Sequence, residues 1–326
     1  FLVDFADTAE FARDIMIEVV EAFGLFLEPA KTPEPSTTMV ILGVRVELEA
    51  SKGAPSFVRL ALDEDKRRVW LRQCASEMNQ SETERFLGRM EFAASAVFGP
   101  FPRSHLSSLY AFVHGKSADG FAKDLQWIRD FLARNPSRVV QLVGRPDPWV
   151  VYSDAEGRGG IGVCIAHDGR FEWLSAMAPR TVFRRLQKRL TQIHLLEAIA
   201  VWVAIMSCVR LGACSRIVVF VDNQSALGAA RKGRSSVRDL NAVIGAVHAE
   251  LSRHGIEAVF LRVPSELIIA DWPSRAQDPG IGARLDDWKE WRSIVRALGV
   301  SQPSRPCESR PRVPGTRAGR PSPSDR

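Results

Sequence analysis

The sequence predicts an α/β protein. A mixed sheet with flanking helices occupies its second half, after a smaller, mainly helical α+β region. Three observations carry this. Arg216 to Val221 is apolar on both faces, which suits the centre of a covered sheet. Residues 183–211 and 237–254 repeat apolar side chains at helical spacing. From Trp149 onward the elements read β-β-β-α-β-α-α-β-α, an order that packs helices on a sheet.

Along the chain, residues 9–24 form an amphipathic helix with Phe11, Ile15, Val19 and Phe23 on one side, and Gly24 suits its C-cap. Pro29, Pro33 and Pro35 break any continuation, and Met39 to Leu48 reads as one strand. Helices follow at 64–80 and 81–98, the second with Ser81 as cap and Glu84 closing a capping box. Residues 104–134 read as mainly helical, and "GRPDP" at 144–148 as a linker. Trp149 to Ser153 and Ile161 to Ala166 are strands separated by a glycine-marked turn at Gly157, Gly159 and Gly160. His167-Asp168-Gly169 is a tight hairpin turn into a third strand, Arg170 to Ser175. Ile256 to Val263 is the last strand, and a short helix follows.

Bulk properties exclude several classes. With 326 residues, 45% apolar and 25% charged, the chain has the composition of a globular protein of about two domains. The net charge of +6 permits a polyanionic partner without requiring one. Five cysteines without C-x-x-C spacing argue against a zinc site or a disulfide framework and fit an intracellular setting, cytoplasm or nucleus. No uninterrupted apolar run reaches 18 residues, so no membrane span is expected. From about residue 301 the composition collapses to Ser, Pro, Arg and Gly, which cannot bury a core and predicts disorder over 301–326.

Four carboxylates sit where carboxylates are awkward. Asp154 ends the first strand of the second half, Glu197 borders the apolar face of the long helix, Asp222 ends the central strand, and Asp271 follows an apolar stretch just before a proline. Any one alone reads more simply as a turn, cap or solvated residue. In this order, two strand-end aspartates meet at one sheet edge and a packed helix brings the glutamate to the same place. Converging carboxylates repel and call for hard cations, with Mg²⁺ the natural choice. Two such ions roughly 4 Å apart can activate a water and stabilise the leaving oxygen of a phosphodiester.

Four blocks carrying these residues, DAEGRGGIGVCI, IHLLEAIA, VVFVDNQSAL and VPSELIIADWPSR, resemble those of a type I ribonuclease H domain attached to retroelement reverse transcriptases, of the tyrosine-recombinase-bearing, DIRS-like class. The resemblance covers about residues 148–275. It implies a five-stranded mixed sheet with flanking helices, two Mg²⁺ ions (Mn²⁺ substituting) held by Asp154, Glu197, Asp222 and Asp271, and endonucleolytic cleavage of the RNA strand of an RNA–DNA hybrid. Two positions depart from the family: the loop Arg262 to Glu266 has no His, and Ile268 stands where Asn is common. Neither removes a ligand. Asn223 and Gln224 are candidates for reading 2′-hydroxyls, or else cap the next helix; Arg185, Lys188 and Arg189 take phosphates, or else form a solvated face.

In the first half, Gly24, Lys31, Leu42 and Gly43 resemble the end of a reverse-transcriptase palm (residues 1–50), with Lys31 near an incoming nucleotide or simply solvated. Residues 51–143 resemble thumb or connection helices, and 276–300 reads as a C-terminal helix. Phe1 to Asp4 either follows or replaces the polymerase's paired-aspartate hairpin, so this chain is not expected to polymerise DNA. The implied partners are an RNA–DNA hybrid and the rest of a retroelement polyprotein. Two alternatives stand beside this reading: an inactive remnant that binds nucleic acid, and a DNA nuclease or transposase of similar fold.

Overall fold

A computed structural model of the chain describes residues 8–28, 32, 34–51, 54–116, 119–142, 147–186, 192–212 and 216–300. Phe1 to Asp4, Lys31, Lys188, Arg189, most of the 144–148 segment and the 301–326 tail lie outside the described residues. The protein is mixed α/β with two sheets, one antiparallel and one mixed.

The first lobe is more β-rich than expected. Helix α1 (Ala9–Ala22) leads to a four-stranded antiparallel sheet, β1 (Thr38–Ile41), β2 (Val44–Ser51), β3 (Ala54–Leu62) and β4 (Ser137–Gln141), in the order β1-β2-β3-β4. The single strand expected over 39–48 is in fact a hairpin. Leu42 and Gly43 both take positive φ, 52° and 77°, which turns the chain in two residues with the twist that hairpin strands prefer. Helices α2 (Glu64–Ala75) and α3 (Gln80–Ala93), α4 (Ser107–Val113) and α5 (Phe121–Ala133) cover one face of this sheet. Helix α3 starts two residues earlier than its expected cap at Ser81. Asn79 accepts from the Glu82 amide, and the Glu82 carboxylate accepts from the Asn79 amide. Two cap-x-x-Glu registers overlap here, and the earlier one also buries Thr83, whose hydroxyl donates to the Asn79 carbonyl.

The second lobe is built on six strands, one more than expected. β5 (Trp149–Ala155), β6 (Gly160–His167) and β7 (Arg170–Met177) form an antiparallel meander. β8 (Arg216–Val221) adds parallel to β5, and β9 (Glu257–Arg262) parallel to β8. The sixth, two-residue strand β10 (Ala283–Arg284) pairs with β7, in a region where the sequence suggested continuous helix over 276–300. Only α11 (Trp291–Val300) is helical there.

The helical stretch expected over 183–211 also divides, into the short α6 (Arg180–Phe183) and α7 (Ile193–Arg210). Helix α7 is apolar all round, as a helix must be when packed on every side. It lies against β5 and β6 and against α9 (Arg238–Arg253). By length and composition α7 could cross a membrane, but here it is the buried core helix. The sheet's other face is covered by residues 263–270, where Val263, Ile268 and Ala270 pack on Cys164 and Trp173.

Helix α8 (Gln224–Lys232) ends at Gly233, whose φ of 73° suits a C-cap glycine. A Cβ at Gly233 would lie 2.7 Å from the Pro100 carbonyl oxygen, so the two lobes touch closely here. The seam is polar elsewhere. Asn241 Nδ2 donates to the Ser104 carbonyl at 2.8 Å, Glu91 lies against both Arg103 and Arg234, and Arg138 Nη2 reaches Glu257 at 2.8 Å.

Candidate metal centre

The parallel register of β5 and β8 pairs Val151 with Val219 and Tyr152 with Phe220. Asp154 and Asp222 each stand two residues beyond the last of these pairs. They therefore emerge side by side at the carboxyl ends of two parallel strands, where α/β sheets place their ligands. Glu197 enters from the first turns of α7, which packs over the same strand end. One oxygen from each of Asp154, Glu197 and Asp222 lies within 4.8 Å of the other two. That is close to the about 4.2 Å between opposite ligands of a single Mg²⁺.

Burial makes this grouping costly. Asp154 is 6% exposed and Glu197 3%. Desolvation, opposed by a hydrogen bond from Ser274 and helped by the charges of Asp222 and Asp271, raises the pKa of Asp154 above the ordinary aspartate value. Desolvation, followed by the charges of Asp154 and Asp222, pushes Glu197 up to about 9, although the Ala155 amide donates to it. Glu197 Oε2 is buried with no hydrogen-bond partner. A buried, unpartnered carboxylate oxygen facing two more carboxylates could hold a hard divalent cation. The donor set, all carboxylate oxygen, fits Mg²⁺ or Mn²⁺.

Asp271 reaches the site differently. It opens the one-turn helix α10 (Asp271–Ser274), which lies directly on β6. Two glycines permit that contact. A Cβ at Gly160 would stand 1.9 Å from the Ser274 carbonyl oxygen, and one at Gly162 would stand 2.1 Å from that of Ala270. Gly160, read from sequence as part of a turn, is thus the first residue of a strand whose missing side chains admit α10. Asp271 lines the same cleft, of about 510 Å³, as Asp154, Glu197 and Asp222, but it stands outside their close group. Its Oδ1 accepts from Arg275 Nε at 2.8 Å.

The other candidates separate. Asn223 caps α8, its Oδ1 accepting from the Ser225 and Ala226 amides at 3.1 Å each, and it also lines the cleft. Gln224 lines the cleft and is exposed. Arg185 is exposed beside Gly299 of α11 and is not among the residues lining the cleft. Lys188 and Arg189 fall outside the described residues.

Three cleft residues went unread in the sequence. Ser265 Oγ donates to Asp222 Oδ2 at 2.9 Å, Glu156 adds a carboxylate, and Arg275 pairs with Asp271. Arg275 had a signal, its i+4 spacing from Asp271; Ser265 had none, because its partner is 43 residues away.

No protein-family model matches the chain, and no curated protein matches it.

Proposed function

We propose that the chain is a divalent-cation-dependent endoribonuclease that cleaves the RNA strand of RNA–DNA hybrids. In this reading the second lobe is a ribonuclease H-like domain and the first a partial reverse-transcriptase palm and thumb, both parts of a retroelement polyprotein. The observation that carries it is the convergence of Asp154, Glu197 and Asp222 from three separate elements on one point at the sheet edge. The antiparallel β5-β6-β7 meander, extended by parallel β8 and β9, supports the same reading.

Asp154, Glu197 and Asp222 would hold the cations, with Asp271 completing the set from the rim. When bound, two such ions supply Lewis acidity at the scissile phosphate and lower the pKa of an attacking water. The chain itself contributes orientation. The Ser265 hydroxyl fixes the Asp222 carboxylate, and the Ala155 amide fixes Glu197. Arg275 holds Asp271 against the cleft. Gln224, exposed at the start of α8, is placed to contact a 2′-hydroxyl across the wide minor groove of a hybrid. The products are a 3′-hydroxyl and a 5′-phosphate.

The test is cleavage of matched RNA–DNA hybrid, duplex RNA and duplex DNA in Mg²⁺. The expected result is cleavage of the hybrid alone, reduced at least about 10³-fold in Asp222→Asn, or about 4 kcal/mol of transition-state stabilisation. Cleavage of DNA would point instead to a transposase-like nuclease. Absence of cleavage in both Mg²⁺ and Mn²⁺ would leave an inactive remnant.

A further inference from the structure

We propose that Trp272 is a substrate-binding residue, its indole serving as the platform on which a nucleotide beside the scissile phosphate packs. This rests on the hybrid-cleaving function proposed above and adds to it a named contact.

The starting observation is exposure. All eight tryptophans of the chain lie in described segments, and Trp272, at 51%, is the only one classed as exposed. Trp70, Trp149, Trp173, Trp202 and Trp288 are each 3–6% exposed. A large ring left in water forgoes the strongest burial available to any side chain. The lining of the acidic cleft is what makes its position informative. On α10, Pro273 and Ser274 are buried against β6, leaving Asp271, Trp272 and Arg275 on the open side. Asp271 and Arg275 both line the cleft. Trp272 is not itself among the residues lining the cleft, but it lies open to solvent on the same short helix, one residue from a proposed ligand. Leu267, 65% exposed, comes just before Ile268, which also lines the cleft.

The electrostatics of the cleft favour such a contact. Among the described residues, Asp154, Glu156, Glu197, Asp222 and Asp271 bring five carboxylates to the cleft wall, and Arg275, already paired, is the one cation lining it. A phosphate backbone approaching this wall is repelled wherever a divalent ion does not intervene. An anchor that works through the face of a base or ribose does not meet that repulsion. Stacking on an aromatic ring also tolerates any base, as an enzyme without strong sequence preference needs.

The experiment uses the full chain with a fluorescently labelled hybrid in Ca²⁺ for equilibrium binding and in Mg²⁺ for kinetics. Trp272→Ala should weaken hybrid binding and raise KM about tenfold while kcat stays within about twofold. Trp272→Phe should recover most of the loss. The slope of log affinity against log salt should be the same in all three proteins, because no phosphate contact is removed. Unchanged thermal unfolding of Trp272→Ala separates this effect from misfolding. Hybrid affinity and KM within twofold of wild type in Trp272→Ala would overturn the assignment while leaving the nuclease reading intact. So would a loss that Phe does not recover, or an altered salt slope. Failure of the wild-type chain to bind hybrid at all would overturn both.

Discussion

The two sheets treat the same chemical group in opposite ways. On the first, Glu47 and Glu49 stand among arginines. Arg45 Nε lies 3.4 Å from Glu47, and Arg59 lies 3.7 Å from Glu47 and 2.7 Å from Glu49. These groups are partly exposed, and their charges are balanced across neighbouring strands. At the edge of the second sheet, Asp154, Glu197 and Asp222 face one another, two of them almost wholly buried. The first arrangement is what a stable surface looks like. The second costs stability unless protons or something outside the chain neutralise it, and that cost is the observation on which the proposed function draws.

The comparison can be broken most severely at Gly162. Its alanine variant would press a methyl group against backbone atoms of α10, the Ala270 carbonyl at 2.1 Å and the Ser274 amide at 2.4 Å. Denaturant unfolding should show a loss of about 3 kcal/mol, together with reduced cation binding as Asp271 is carried off the cleft. An unchanged midpoint would mean that α10 is not held where the geometry puts it.

Glu197→Gln should sharpen the contrast in the other direction. In EDTA at pH 8 the variant should be more stable than the parent by about 2 kcal/mol, because the folded parent must keep a proton on this buried carboxyl that the unfolded chain releases. The sign follows from the raised pKa. The folded state holds the Glu197 proton up to about 9, whereas an ordinary glutamate, as in the unfolded chain, releases it near 4.5. The stabilisation is therefore full below pH 4.5 and is lost as pH rises toward 9. Thermal unfolding across that range should show the parent falling and the variant flat with respect to this group, with Mg²⁺ restoring the parent. A variant less stable than the parent at pH 8 in EDTA would reverse the interpretation.

The smallest effect belongs to the first sheet. Arg59→Ala should cost only about 0.5 kcal/mol, and about half of that should disappear at high salt, as for exposed pairs generally. A loss of several kcal/mol would show that this ladder is not merely a balanced surface.

The acidic site was legible in the sequence because apolar strands that stop at a carboxylate, as at Asp154 and Asp222, are local patterns, and Glu197 interrupts an otherwise apolar helix. What escaped notice depends on long-range contact. The role of Gly160 and Gly162 follows from α10, more than 100 residues later. Strand β3 alternates too weakly to stand out, because its inward side is filled by Val58, Leu60 and Leu62 while Phe57 and Arg59 share the other. The neighbour of Arg185, Gly299 of α11, lies more than 100 residues away in sequence and left no local signal either.

Helix α8 has a mechanical consequence. Its first residue follows Asn223, next to Asp222, and its last precedes Gly233, wedged against Pro100. Nine residues make a stiff rod about 13 Å long. One continuous helix thus joins the contact with Pro100 at its far end to the residue beside Asp222 at its near end.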